Sequence, residues 1–299
     1  MNLDAIVLKD VDKRFEEFSL NGLSFNVKKG YITGLIGPNG SGKTTTIRLI
    51  MDLLKADKGS IEIFGEELEG NEEKIKERIG FVYPENSLYS HLSVKQTGRL
   101  VSAFYKEWDE TLFSYYINLF ELPLKTKVSQ LSTGMKMKLS LSIALSHHAD
   151  LILLDEPTSG LDPIVRSEML DILYEIIQDE EKTVLFSTHI ITDLEKVADY
   201  IVFLNKGQLV YSQSKEAMMD QFKLVKGPSG LLDIELKKLF VYLKESDTGF
   251  QGLSKEHQTF KELFGNKILV EPASLEEIMV YTVKGDSDAS IDKKRVLSK

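Results

Sequence analysis

Three short stretches of this chain carry side chains suited to handling a polyphosphate. The first is "GPNGSGKTT" at residues 37 to 45, where Gly37, Gly42, Lys43 and Thr44 complete the pattern G-x-x-x-x-G-K-[ST]. Glycines at 37, 40 and 42 allow backbone N–H groups to turn inward around phosphate oxygens, where any Cβ would crowd the chain. In such a loop Gly37, Pro38, Asn39, Gly40, Ser41 and Gly42 form the cradle. Lys43 reaches the β- and γ-phosphates, Thr44 offers its hydroxyl to Mg²⁺, and Thr45 is placed against the α-phosphate.

The second stretch is "LILLDEP" at 151 to 157. Its apolar run into Asp155 and Glu156 fits a strand covered on both faces, with the carboxylates emerging at the C-terminal edge, where open α/β sheets bind ligands. Asp155 is the expected metal-side carboxylate. Glu156, one residue on, points off the other face and can polarise a water for in-line attack on a γ-phosphate, which makes it the expected general base. The third stretch, "KTVLFSTHI" at 182 to 190, is another strand, ending in Ser187, Thr188 and His189. Its imidazole falls at the same edge and can touch the γ-phosphate, although a histidine after a strand is by itself as readily structural. His147 and His148 close a helix, where a partly cationic ring suits the dipole.

Local patterning supplies the supports. "YITGLIG" at 31 to 37 reads as a buried strand, and "KTTTIRLIMDLL" at 43 to 54 as a helix with Ile47, Ile50 and Leu54 on one face. That strand–loop–helix setting is what a P-loop requires. "LSTGMKMKLS" at 131 to 140 holds no obvious acid, base, nucleophile or metal ligand. Ser132 or Thr133 reads as the N-cap of an amphipathic helix with Met135, Leu139 and Ile143 following. A helix N-terminus also presents unpaired N–H groups and the positive end of a dipole, so the stretch equally reads as an anion site.

Composition narrows the setting. The 299 residues are 42% hydrophobic, enough for two or three subdomains, and the net charge of -9 argues against a dedicated nucleic-acid binder. With no cysteine there are no disulfides, thiolate metal sites or cysteine nucleophiles. Apolar runs such as "YIVFL" at 200 to 204 fall far short of the roughly 18 residues a membrane span needs. The N-terminal "MNLDAIVLKDVDKRF" has early acidic residues and no sustained apolar core, so neither a secretory signal nor a transit peptide is expected, and the cytosol is the expected compartment.

The P-loop at 37 to 44, "LSTGM" at 131 to 135, "LILLDE" at 151 to 156, "SGLD" at 159 to 162 and "STH" at 187 to 189, in that order, resemble the ATP-binding cassette of ABC transporters. The resemblance covers roughly residues 3 to 220. It implies an α/β fold: a P-loop NTPase (RecA-like) core, an antiparallel β subdomain and a helical subdomain bearing the signature. It also implies Mg-dependent ATP hydrolysis by two cassettes paired head to tail, the signature helix of one capping the γ-phosphate on the P-loop of the other. Ser132 and Gly134 are then implied contacts to a partner's ATP. Phe15 matches the aromatic that stacks on adenine, and otherwise reads as a core phenylalanine. Asp162 matches the loop that couples the two sites across the dimer, and His189 the switch histidine that holds the γ-phosphate and attacking water.

This chain departs from the family pattern at Thr133 and Met135, where glycine and glutamine are usual, and at Glu85 in "GFVYPENSLYSHLSV", where glutamine is usual. A carboxylate at 85 could ligate Mg²⁺ or water but adds negative charge near the triphosphate, so slow turnover is expected. The variants "YPE" and "STGM" resemble those of bacterial cassettes serving small exporter-type membrane subunits, among them YtrB-like cassettes and staphylococcal phenol-soluble-modulin exporter ATPases.

The expected organisation is a catalytic core over 1–90 and 148–220, a helical subdomain over 91–147 and a small α+β extension over 221–299. In the helical part, Tyr105, Trp108, Tyr115, Tyr116 and Phe120 read as core, or as a dock for a membrane subunit's helix. A turn is expected at Lys206-Gly207, and "KGPSG" at 226 to 230 marks a boundary. Beyond it the pattern predicts a helix near 231–245, a strand at 267–271, a helix at 275–283 opened by a Ser274/Glu277 capping box, and a disordered tail.

The expected function is the ATPase subunit that drives a separate transmembrane permease from the inner face of the cell membrane, exporting peptides or amphipathic or toxic compounds. A soluble cassette acting on ribosomes or nucleic acid is the alternative; one cassette, no long heptad run and net acidity count against it. A small-molecule P-loop kinase would have no use for the signature helix or "SGLD".

Overall fold

The computed structural model describes residues 4–83 and 88–297, with side chains to residue 286. In chain order the elements are β1 (Asp4–Arg14), β2 (Ser19–Lys28), β3 (Ile32–Ile36), α1 (Lys43–Ile50), β4 (Lys58–Ile63), β5 (Glu66–Glu67), α2 (Glu72–Lys76) and β6 (Ile79–Val82). The helices α3 (Val94–Ser102), α4 (Glu110–Leu119) and α5 (Thr133–Leu145) follow. Then come β7 (Leu151–Asp155), α6 (Pro163–Ile176), β8 (Thr183–Thr188), α7 (Ile191–Val197), β9 (Tyr200–Asn205) and β10 (Gln208–Ser214). The chain divides into two units, Met1–Ser212 and Gln213–Lys299, a boundary earlier than the expected 221.

Hydrophobic patterning separates two sheets in the first unit. Every residue of β3, β7 and β8 is buried, as suits parallel strands covered on both faces. They form the middle of a six-stranded sheet of order β10-β9-β3-β8-β7-β6, in which β3 pairs in parallel with β8 and β9, and β7 with β8 and β6. β2 instead alternates buried and exposed positions and joins β1, β4 and β5 in an antiparallel sheet of order β2-β1-β4-β5. One apolar core, including Ile6, Leu23, Leu35, Ile47, Leu153 and Leu185, is shared by both sheets and α1.

Between β6 and β7 lies the helical region. Ser93 and Gln96 close a capping box on α3, Asp109 caps α4, and Ser132 caps α5. Phe113 and Phe120 are buried, Tyr105 stacks on His147 with centroids 3.8 Å apart, and Trp108 packs 5.2 Å from Phe113. Tyr115, by contrast, is exposed. Among the described residues, no helix is long and apolar enough to cross a membrane.

The second unit contains α8 (Lys215–Gln221), β11 (Lys223–Pro228), α9 (Ile234–Lys237), β12 (Phe240–Ser246), β13 (Gly249–Ser254), α10 (His257–Phe264), β14 (Leu269–Pro272) and α11 (Leu275–Leu297). Its antiparallel sheet has the order β12-β13-β11-β14. The helix expected near 231–245 is a single turn, α9, followed by a strand, because β12 gains a partner in β13 that local sequence does not reveal. The Ser274/Glu277 capping box is present, with Ser274 N–H donating to Glu277 Oε2 at 2.9 Å and Glu277 N–H to Ser274 Oγ at 3.2 Å. The segment after Lys284, expected to be disordered, is helical to Leu297. Gly285 does not break it: a Cβ there would lie 2.3 Å from Val241 O, so the glycine lets α11 lie against β12.

Candidate nucleotide site

β3 delivers the chain to a loop that a larger residue could not make. A Cβ added at Gly37 would lie 2.2 Å from Leu204 O and 2.5 Å from Ser41 Oγ. Gly42, at φ 109, caps α1 without any side-chain hydrogen bond, and the helix has no acidic residue in its first turn. Its N-terminal N–H groups and dipole are thus left for an external anion. Ser41 Oγ is buried with no hydrogen-bond partner, a second donor suited to a phosphate oxygen. The loop is braced from behind by the β9–β10 turn, where Lys206 and Gly207 both have positive φ and Gly207 N–H donates to Ser41 O at 3.1 Å.

Two parallel strand ends bring the acidic groups alongside. Asp155 is buried; its Oδ1 accepts from Ser187 Oγ at 2.6 Å and from Thr44 Oγ1 at 3.2 Å. Glu156 does not continue the strand alternation. Its φ is 52, in the left-handed region, and its N–H donates to Ser187 Oγ at 2.9 Å. This turn sends the carboxylate between two partners: Oε1 is 3.2 Å from Lys43 Nζ and Oε2 is 2.7 Å from His189 Nδ1. Lys43 Nζ also donates to Gly37 O at 2.9 Å, so the buried ammonium is held within the loop by a carbonyl and a carboxylate.

A cavity of about 770 Å³ opens over these groups. Asn39, Gly40, Ser41, Gly42, Lys43, Thr44, Thr45, Glu156 and His189 line it, and so do Glu17, Phe18 and Ser159, which sequence reasoning did not single out. Phe15 is outside the lining but 46% exposed, which removes the core reading; its ring stacks on Phe18 with centroids 6.4 Å apart. The second aromatic of "FEEF" was the available signal for Phe18.

Three expected residues stand apart from this cavity. Ser132 Oγ accepts from Met135 N–H at 3.2 Å as the N-cap of α5. Gly134 is buried, and a Cβ there would meet Val165 Cγ1 at 2.6 Å. Asp162 caps α6, its Oδ1 accepting from the N–H groups of Ile164 and Val165 at 3.0 and 3.1 Å. Glu85 lies outside the described residues.

Among the described residues, no group of three or more His, Cys, Asp or Glu side chains is placed to hold a metal. The donors present, the Thr44 hydroxyl and the Asp155 carboxylate joined at 3.2 Å, fit a hard cation that takes one or two protein oxygens and completes its shell with phosphates and water, which is magnesium's habit.

A family model described as ABC transporter matches residues 20–159. The chain is 32% identical over 203 residues to the ABC transporter ATP-binding protein YtrB of Bacillus subtilis, covering 68% of this chain and 69% of that protein. The chain belongs to the family of ABC transporter ATP-binding proteins. This cassette is also 34% identical over 194 residues to the bacitracin transport ATP-binding protein BcrA of Bacillus licheniformis, spanning 64% of this chain and 63% of that protein's length. The Nod factor export ATP-binding protein I of Burkholderia orbicola is 32% identical over 226 residues, 74% of either chain. Among solved structures, an ATP-binding subunit of an ABC transporter superposes with a TM-score of 0.65 at 27% identity, covering 73% of this chain and 92% of that one. The dimeric cassette MJ0796, in a post-hydrolysis state with ADP and Pi, gives 0.63 at 25% identity, over 70% of this chain and 98% of its own. The cassette therefore has the P-loop ATPase fold of a family that binds and hydrolyses ATP.

Proposed function

We propose that this cassette hydrolyses ATP between two copies of itself, paired head to tail, and so drives a separate transmembrane permease that exports peptides or amphipathic or toxic compounds. The observation that carries the reading is the meeting of Lys43, Glu156 and His189 at one cavity, with Ser132 outside it. A contact from the N-terminus of α5 to a γ-phosphate then calls for a second chain.

In this reading the loop N–H groups, Ser41 and Lys43 bind the triphosphate, Thr45 contacts the α-phosphate, and Phe15 stacks on adenine. Glu156 takes a proton from the attacking water, and His189 holds the carboxylate and the γ-phosphate in register. Magnesium held by Thr44 and Asp155, with Glu85 as a third oxygen donor, would neutralise charge on the β- and γ-phosphates. Ser132 and Gly134 contact the partner's ATP, and Asp162 couples the two sites.

The permease reading is supported by a groove of about 540 Å³ on the helical region, lined by Tyr89, Leu92, Gln96, Arg99 and Leu100 among others. Beside it in sequence, Phe104 is 74% exposed. Such a groove suits the apolar face of a short helix, which would hold the cassette at the inner face of the membrane. Export of Nod factor, for which one relative is named, supports an export direction.

The test is light scattering after size exclusion of Glu156→Gln with and without Mg-ATP. A dimer that forms on ATP and is abolished by Ser132→Arg is the expected result. A protein that binds ATP yet stays monomeric would overturn self-pairing.

A further inference from the structure

Beyond the two strand ends, one buried carboxylate ties three segments together. Asp193, the third residue of α7, is 1% exposed. One oxygen accepts from Thr158 Oγ1 at 2.6 Å and the other from Arg166 Nε at 2.6 Å. Arg166 Nη2 also donates to Thr192 Oγ1 at 2.7 Å. Each partner belongs to a different part of the site's frame. Thr158 is buried in the turn that follows Glu156, a turn closed by Ser159 N–H donating to Glu156 O at 3.1 Å. Arg166 is in the first turn of α6, with its N–H donating to Asp162 O at 2.9 Å. Asp193 itself stands one turn of chain after His189.

α7 is in turn fixed to the sheet. Leu194 fills the space above Gly34 of β3, where a Cβ would meet its Cδ2 at 2.1 Å. The strand feeding the P-loop, the turn after Glu156 and the helix after His189 are therefore bolted at one point. Glu156 needs such a frame, because a left-handed backbone at a residue other than glycine persists only where its surroundings impose it. Ser187 holds it on the amide side, and the buried Thr158–Asp193 bond holds the other side of the turn. A charge this buried must have both oxygens satisfied, so loss of either donor loosens the frame rather than one contact.

We infer that Asp193 is a positioning residue. Through Thr158 and Arg166 it locks the turn after Glu156 to the start of α7, and so sets the 2.7 Å contact between Glu156 and His189. The inference rests on the reading that these two residues act on ATP.

The test compares ATP hydrolysis and ATP binding by the full chain and by Thr158→Val, Thr158→Ser, Arg166→Met and Glu156→Gln. Valine removes the hydroxyl at near-constant volume and serine restores it. Thr158→Val should lower kcat by about tenfold or more with KM for ATP little changed, because the loss is one of alignment and not of binding. Thr158→Ser should keep the wild-type kcat, and Arg166→Met, at a less buried side chain, should repeat the kcat loss even where the valine variant folds poorly. Serine behaving like valine, or kcat for both Thr158→Val and Arg166→Met staying at wild type while Glu156→Gln is inactive, would overturn the positioning role alone. A Glu156→Gln variant as active as wild type would instead remove the reading on which it rests.

Discussion

Glu156 Oε2 stands 2.7 Å from His189 Nδ1, while Oε1 of the same carboxylate is 3.2 Å from Lys43 Nζ. One side chain thus links the P-loop to the end of β8. The link has a specific consequence for Glu156→Gln. An amide keeps the shape but cannot take the proton of an attacking water, so kcat should fall by about 10²- to 10⁴-fold. ATP binding should be retained, since Lys43 loses an internal carboxylate that competes with phosphate. Phosphate release under steady state, paired with equilibrium binding of ATP, separates the two effects; parallel loss of both would contradict the assignment.

Gly134 meets the side chain of Val165, and the distance of 2.6 Å from a built Cβ leaves no room for alanine. Valine is stiff at χ1, so the clash is not relieved by a simple rotation. Gly134→Ala should destabilise the fold by about 1–3 kcal/mol in a denaturant titration, and Val165→Ala should restore most of it. If Gly134 also serves the partner's nucleotide, the restored double variant will still dimerise poorly on ATP. Full recovery of dimerisation would reduce the glycine to a packing role.

Much of this site was legible because its signals are local. The P-loop pattern, the unbroken apolar runs of β7 and β8 and the Ser-x-x-Glu start of α11 each fit within a few residues. What escaped depends on long-range closure. The left-handed turn at Glu156 is imposed from β8 through Ser187, so strand alternation placed its carboxylate by the wrong argument. Thr158, Arg166 and Asp193 share no period, and only the packing of α6 and α7 brings them together. The same is true of β12, where "LFVYLKES" carries leucines at the helical spacing of four, Leu239 and Leu243, but is claimed by β13 across a tight turn.

Phe15 and Phe18 should divide the work at the mouth of the cavity. Phe15 is 46% exposed and packs mainly on its neighbour, so Phe15→Ala should leave stability nearly unchanged. Loss of a stacking ring should weaken ATP binding by about 0.5–1.5 kcal/mol, up to roughly tenfold in Kd. Phe18 lines the cavity and lies beneath Gly42, where a built Cβ would meet its Cζ at 3.0 Å. Phe18→Ala should therefore weaken binding and lower the thermal midpoint together. Calorimetric titration of ATP and a melting curve on the two variants decide the division; equal stability losses would show that Phe15 is part of the packing after all.

His147 makes stability depend on pH in a stated direction. The ring is 2% exposed, stacked on Tyr105, with Nε2 3.1 Å from Ile79 O and Nδ1 3.3 Å from Ile143 O. Burial lowers its pKa below the ordinary value of 6.5; the two carbonyls oppose the shift, while His148 and Lys182 reinforce it. The unfolded chain therefore binds the proton more readily than the folded one. The stability from the neutral ring is complete above pH 6.5 and is lost as pH falls below it, by at most about 1.4 kcal/mol one pH unit down. His147→Gln cannot titrate, so its stability should fall less than wild type's between neutral pH and one unit below 6.5. Denaturant midpoints for both proteins at the two pH values measure the difference, and a wild type that is no more acid-sensitive than the variant would mean the buried ring is not the group responsible.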